Sequence, residues 1–261
     1  MKILMGRVRR IGASLAGAIA FYTILPMPVS WMMEIARASY WVPIIGLGIG
    51  AGVAGVDAGL QALGMPILTR SAIAVLFWVA ITGGLHLDGA MDTADGLAVT
   101  DPERRLAVMA DSQTGAFGAM VAVAILLLKT VALVDLAGSP GDRWIFLPLV
   151  AGWARWGQQV AIARYPYLKA QGKGAFHKAA IQSWSDTVPG FLVLLGLSLL
   201  PLGFLENALR LSLMLCLGGG AIALLLPAWF HHKLGGHTGD TYGAVVEWSE
   251  GILLVLLTLV R

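Results

Sequence analysis

An all-α, polytopic membrane bundle of about seven spanning helices, preceded by an N-terminal interfacial or re-entrant helix, is the fold this sequence predicts. Three observations predict it. The 261 residues are 57% hydrophobic and 13% charged, with a mean hydropathy of +0.78, whereas about a quarter of a soluble domain is charged. Stretches free of Asp, Glu, Lys and Arg occupy 38–56, 71–87, 112–128, 187–205 and 211–230, each close to the length a hydrocarbon core requires. The basic residues also sort by side. With spans at roughly 40–62, 68–86, 114–134, 144–163, 187–205, 210–230 and 243–260, twelve of the 18 Lys and Arg residues fall on the side of residues 1–39. Four fall opposite, and Lys129 and Arg155 lie within spans. The positive-inside rule then places the twelve-charge side in the cytoplasm.

Lys2, Arg7, Arg9 and Arg10 precede a small-residue apolar segment that superficially resembles a secretory signal. It runs into Leu25-Pro26-Met27-Pro28 with no convincing small-x-small cleavage site, so a retained helix that does not cross the bilayer once is expected. No separate soluble domain fits, and residues 1–261 read as one membrane-embedded catalytic domain. Cys216, the single cysteine, lies inside a span and can build neither a disulfide framework nor a thiolate metal site alone. The net charge of +3 does not imply nucleic acid, because the basic residues sit in short loops where topology explains them. Membrane lipid is the expected surrounding, and a homo-oligomer is left open.

After the second span the chain reads Gly83-Gly84-Leu85-His86-Leu87-Asp88-Gly89-Ala90-Met91-Asp92-Thr93-Ala94-Asp95-Gly96. At about 100° per helical residue, offsets of four and seven bring Asp92 and Asp95 within roughly 40° of Asp88. A helix here carries three carboxylates on one stripe. Such neighbours repel, and near a bilayer each costs on the order of 3 kcal/mol unless neutralised or hydrated. Asp111, opening the next span, joins them as a fourth candidate ligand. Oxygen-only donors suit Mg²⁺, or Mn²⁺. A solvated acidic loop, or acids complementing helix dipoles, is the alternative, but no basic residue lies nearer in sequence than Arg104. His86, two residues before Asp88, reads as a ligand-orienting group, a general base or a phosphate contact, or else as an interfacial histidine satisfied by backbone.

The segment Gly235-Gly236-His237-Thr238-Gly239-Asp240-Thr241-Tyr242-Gly243, with Glu247 and Glu250 beyond it, forms a second constellation. Glycines let backbone approach a phosphate, and amides at a following helix N-terminus offer anion donors. A tight turn with Asp240 as helix cap is the alternative. Asp240 and Glu247 share a helix face and could meet the first cluster across an interface. Basic groups make the third constellation: Lys129 and Arg155 within spans, which are functional candidates by default, and Arg164, Lys169, Lys173, His177 and Lys178 in a loop. Arg155 suits bidentate phosphate binding.

Gly83–Gly89 with Asp92-Thr93-Ala94-Asp95-Gly96 resembles the signature of bacterial cobalamin synthases, the adenosylcobinamide-GDP ribazoletransferases. Met109-Ala110-Asp111-Ser112-Gln113-Thr114-Gly115-Ala116-Phe117-Gly118 resembles a second block, and Leu234–Ala244 with Glu247 a third. Leu25–Pro28 and Pro43-Ile44-Ile45-Gly46 also fit, so the likeness runs in order through nearly the whole chain. One departure stands before Arg155, where the family's Gly-Arg reads Gly152-Trp153-Ala154-Arg155. The resemblance implies a Mg²⁺-dependent phosphotransferase for substituted phosphate groups, in the bacterial inner membrane with its active site facing the cytoplasm. It implies that the cobinamide-phosphoryl group of adenosylcobinamide-GDP passes to alpha-ribazole or its 5′-phosphate. GMP is released and adenosylcobalamin or its 5′-phosphate forms, the nucleotide-loop assembly step of cobalamin biosynthesis. Mapped onto this chain it implies Asp88, Asp92 and His86 as catalytic and Asp88, Asp92, Asp95 and Asp111 as metal ligands. Ser112, Arg155, Lys169, Gly236, Thr238, Asp240 and Glu247 are the implied substrate contacts. A CDP-alcohol phosphotransferase is the runner-up, but its motif requires Ala-Arg soon after the first Asp-Gly, where Asp92-Thr93 stands here. A cation transporter predicts acids at midplane depth, whereas these gather at the cytoplasmic ends.

Overall fold

A computed structural model describes residues 2–28, 34–137, 140–169, 174–181, 183–203 and 208–260; Lys173 lies outside them. Among the described residues the regular structure is helical, and the extended pairing is one isolated parallel bridge between Tyr167 and His237. Helix α1 spans Lys2–Tyr22, α2 Val42–Ala62, α3 Ile67–Ile81, α4 Leu85–Ala98, α5 Pro102–Val108 and α6 Ala116–Asp135. Then come α7 Pro140–Arg164, α8 Ala175–Ala180, α9 Val188–Leu199, α10 Ala208–Leu213, α11 Gly219–Leu234 and α12 Gly239–Leu257.

Among the described residues, five helical stretches are long and apolar enough to cross a bilayer: Arg37–Ala62, Ala116–Asp135, Trp184–Gly203, Ala208–Leu234 and Gly239–Val260. The chain is thus built as a multi-pass membrane protein. The expected seven spans differ at two places. The expected span 68–86 is the 15-residue α3, followed after an 88° bend by α4, and the pair makes a sixth span only if counted as one broken segment. We treat α4, with its row of carboxylates, as lying outside the spans. The expected span 144–163 is α7, long enough by helical rise but less apolar than the five. Every residue from 149 to 162 is buried. Surrounded by α2, α11 and α12, α7 faces protein rather than lipid, so it tolerates Arg143, Arg155, Gln158 and Gln159 where α6 shows Met120, Val123 and Leu127 outward.

Close packing sets that central helix in place. A Cβ at Gly46 or Gly50 would collide with the carbonyls of Ala151 or Leu147 on α7, the close approach that small residues four apart allow in membrane bundles. The N-terminal segment is a helix, as expected, and the chain returns along it. The Glu34 N–H donates to the Ala13 carbonyl at 3.0 Å, and the Ile24 N–H donates to Ile81 at 2.9 Å, tying α1 to the end of α3.

Two buried charge clusters cross-link the bundle. Asp57 on α2 pairs with Arg143 on α7 and, at 3.6 Å, with Arg70 on α3. Deeper under α4, the Lys129 ammonium on α6 donates to Glu247 at 2.6 Å and to Glu250 at 2.5 Å, both on α12. The other oxygen of Glu250 accepts from Arg155 on α7. Lys129 also stands 4.9 Å from the Trp78 ring centroid. Removing one member of a buried pair typically costs about 3–5 kcal/mol, because an uncompensated charge remains. Lys129→Met is therefore expected to lower the thermal unfolding midpoint of the detergent-solubilised protein strongly, followed by tryptophan fluorescence. Arg37→Ala, which breaks the exposed pair with Glu34, should cost no more than about 1 kcal/mol.

Candidate active site

The site begins where α3 ends. Gly83 and Gly84 adopt φ of 62° and 73°, a left-handed backbone that residues with a side chain enter only at a cost, and the chain turns sharply into α4. The helix forms as its periodicity predicts. His86, Leu87, Gly89, Ala90, Thr93 and Gly96 are buried, while Asp88 is exposed and Asp92 and Asp95 are half-buried along the opposite stripe. Behind that stripe α4 crosses α12 at backbone contact. A Cβ at Gly89 would stand 2.6 Å from the Asp240 carbonyl oxygen, and one at Gly243 would stand 2.8 Å from that of His86. The two glycines let the first turns of α4 and α12 touch, which puts Asp88, Asp92 and Asp240 beside one another.

The electrostatics register that meeting. Burial, then the charges of Asp88 and Asp240, raise the Asp92 carboxyl to about 6, with Lys169 opposing and Asp95 adding a smaller push. Lys169 is held over the group by the Tyr167–His237 bridge. The Leu168 N–H donates to His237 at 2.8 Å and the His237 N–H to Pro166 at 2.9 Å, and the Lys169 ammonium reaches Asp240 at 2.9 Å. Thr238 caps α12 by accepting from the Thr241 N–H, and its hydroxyl donates to Asp240 at 3.1 Å. Gly236 is packed against Pro166. Both residues thus shape the turn that presents Asp240; the expected tight turn is present, but its helix cap is Thr238 and not Asp240.

Other expected site residues lie apart from this group. Both oxygens of Asp95 accept from backbone, the Gly115 N–H and the Gly118 N–H, each at 2.8 Å; Asp95 clamps the start of α6. Asp111 is exposed and accepts from the Gln113 N–H at 3.0 Å, with Ser112 exposed beside it. Glu247, two helical turns or about 10 Å below Asp240, is paired with Lys129, and Arg155 with Glu250. These two side chains neutralise charge inside the bundle instead of facing the stripe. Among the described residues, no group of three or more His, Cys, Asp or Glu side chains is arranged to hold a metal ion as it stands. The donor chemistry of Asp88, Asp92 and Asp240 nevertheless fits a hard cation: all are oxygen donors, and the charges of Asp88 and Asp240 add to burial in raising Asp92.

Beside the carboxylates a cleft of about 130 Å³ enters the bundle between α1, α4, α7 and α12, lined by Tyr22, His86, Asp88, Gln158, Asp240 and Tyr242 among others. Burial, with Arg155 and Lys129 nearby, holds the His86 imidazole well below its ordinary range, so it is neutral. Neither ring nitrogen has a partner. His177 closes the far wall, with Nδ1 2.5 Å from the Ser39 hydroxyl and the Tyr22 hydroxyl at 3.3 Å. Gln158 and Tyr242 were not singled out by sequence reasoning. The signal for Gln158 was a polar residue within an expected span.

A sequence model described as cobalamin-5-phosphate synthase matches residues 14–258. The chain is 55% identical over 252 residues to a protein of Trichormus variabilis named adenosylcobinamide-GDP ribazoletransferase, covering 97% of this chain and 99% of the relative. It is 51% identical to the protein of that name from Thermosynechococcus vestitus (93% and 94% covered) and 34% to that from Brevibacillus brevis (92% and 95%). No solved structure matches significantly.

The raised Asp92 carboxyl sets a pH dependence. Its folded value near 6 lies above the unfolded value of about 3.9, so between these the folded state binds more protons and stability falls as pH rises. A bound cation reverses that loss by favouring the ionised form. Thermal scans are expected to show Mg²⁺ raising the unfolding midpoint more at pH 7.5 than at pH 5, with the difference reduced in Asp92→Asn.

Proposed function

The chain belongs to the cobalamin-5-phosphate synthase family, and from that membership we propose that it catalyses the ribazoletransferase reaction at the Asp88–Asp92–Asp240 group. A ribose hydroxyl of alpha-ribazole, or of its 5′-phosphate, attacks the cobinamide-linked phosphorus of adenosylcobinamide-GDP. The bond from that phosphorus to the bridging oxygen breaks, GMP leaves, and adenosylcobalamin or its 5′-phosphate remains. The observation that carries this reading is the α4–α12 crossing, which gathers three carboxylates and Lys169 at one mouth of the bundle.

Each group has a task set by its surroundings. Asp88 and Asp240 supply hard oxygen donors for Mg²⁺, with Mn²⁺ an alternative, and such an ion supplies neutralisation of the pyrophosphate charge when bound. Asp92, beside Asp88 and Asp240, is the carboxylate we assign to accept the hydroxyl proton. His86 is too weak a base for that task, since burial keeps it neutral, and we place it in the cleft wall. The Lys169 ammonium balances phosphate charge as it now balances Asp240. Asp111 and Ser112 are exposed just ahead of the Gly115 amide that Asp95 holds, and we assign them contacts with the outer part of the substrate. We place the site on the cytoplasmic face of the inner membrane, the side that carries the twelve basic residues when α3 is counted as crossing.

In proteoliposomes, GMP release is expected to depend on both cobinamide-GDP and alpha-ribazole. Asp88→Asn and Asp92→Asn should each lower it by about 10²–10³-fold, the scale of losing one electrostatic contact to a transition state. Ion flux without GMP release would overturn the reading in favour of a transporter.

A further inference from the structure

The cleft beside the carboxylates holds polar atoms that the protein leaves unsatisfied. Both nitrogens of His86, the Gln158 side-chain oxygen and the Tyr242 hydroxyl are buried without a hydrogen-bond partner, and their residues are 1%, 4% and 2% exposed. Such groups are costly unless something binds them. They come from three different helices, α4, α7 and α12, and line one cavity, so a single ligand can satisfy them together.

We infer that this cleft is a base-recognition pocket and that it takes the guanine of the guanosine diphosphate ester, an inference that rests on the proposed reaction. Size comes first. About 130 Å³ is well below the roughly 300–1,000 Å³ of a pocket for a whole drug-sized ligand, so the cleft admits one ring system and excludes a corrin. Aromatic walls suit a planar ring: Tyr22 and His86 lie nearly parallel, with centroids 6.3 Å apart. Charge comes second. No Lys or Arg is among the described residues lining the cleft, whereas the Lys169 ammonium stands at Asp240, so the neutral base enters and the phosphates stay at the mouth with Lys169.

Hydrogen-bond complementarity decides between the two bases of the reaction. The Gln158 oxygen can only accept, so a base ring that satisfies it must carry a donor, which in a base means an N–H. Guanine offers N1–H and an amino group beside its O6 and N7 acceptors, which Tyr242 and a His86 N–H can serve. A ribosylated dimethylbenzimidazole offers one acceptor nitrogen and no N–H, leaving Gln158 orphaned. A site built around a buried polar partner rejects the analogue that lacks it far more strongly than an apolar pocket rejects a missing methylene.

Calorimetric titration of the full chain in detergent with GDP, ADP and alpha-ribazole tests this without turnover. The wild-type protein is expected to bind GDP at least about tenfold more tightly than ADP, the effect of one well-placed hydrogen bond. Gln158→Leu should lower GDP affinity by a similar factor and leave alpha-ribazole binding unchanged. Tyr242→Phe, which removes one oxygen and keeps the ring, should act in the same direction at an unaltered unfolding midpoint. Equal GDP and ADP affinities, no GDP binding at all, or a loss that falls on alpha-ribazole instead would each overturn the assignment. Because GDP binding and GMP release are read separately, failure of the pocket and failure of the proposed reaction give different results.

Discussion

The four-charge cluster of Lys129, Glu247, Glu250 and Arg155 is the constraint on which the site depends. It joins α6, α7 and α12 at one depth, and its two cations and two carboxylates balance. Away from water such a group tolerates little displacement, because each charge relies on the others for solvation. Fixing Glu247 and Glu250 fixes the rotation and height of α12, and the first turn of that helix carries Asp240. The position of one carboxylate at the mouth is therefore set about two turns below it, where sequence separation alone would suggest no connection.

A second constraint acts from α4. Asp95 accepts from two amides at the start of α6, where the helix N-terminus favours negative charge, while Gly89 and Gly243 allow α4 to rest on α12. One carboxylate of the stripe thus anchors the helix and the other two are left facing outward. The anchoring is local chemistry. Its result is longer-ranged, since α4 is held at both ends of the stripe and cannot turn to relieve the repulsion between Asp88, Asp92 and Asp240.

Much of this was legible in the sequence. The three-carboxylate stripe follows from helical spacing, and the structure places Asp88, Asp92 and Asp95 on one face as 100° per residue requires. Among the described residues, five of the seven expected spans became helices fit to cross a bilayer. What periodicity conveys is an angle, and neither depth nor partner can be read from it. Asp240 and Glu247 share a face, yet one reaches the mouth and the other meets Lys129 in the interior. Arg155 looked suited to phosphate because an intramembrane arginine without a visible partner invites function, and its partner, Glu250, lies 95 residues away. The same limit affected the count of spans. A helix shielded by others needs no apolar surface, so α7 was placed correctly in sequence while its role as the central post was not. Gln158 escaped notice for a related reason: its significance is the absence of a partner, which only the packed bundle reveals.

Charge balance separates the structural acids from the chemical ones. In the interior, Glu247 and Glu250 are matched by Lys129 and Arg155, and Asp57 is matched by Arg143 and Arg70, so those carboxylates have no remaining demand for a cation. Asp95 is answered by backbone amides. At the mouth, three carboxylates face one ammonium, and burial together with that excess raises the proton affinity of Asp92. Bringing like charges together at a helix crossing is unfavourable for folding, and glycines at 89 and 243 are what allow the approach to be so close. In the proposed reaction, a cation bound here would relieve that repulsion and neutralise the pyrophosphate together. The residual imbalance is the ground for the proposed site, and the unpartnered polar atoms in the adjoining cleft are the ground for the proposed base pocket beside it.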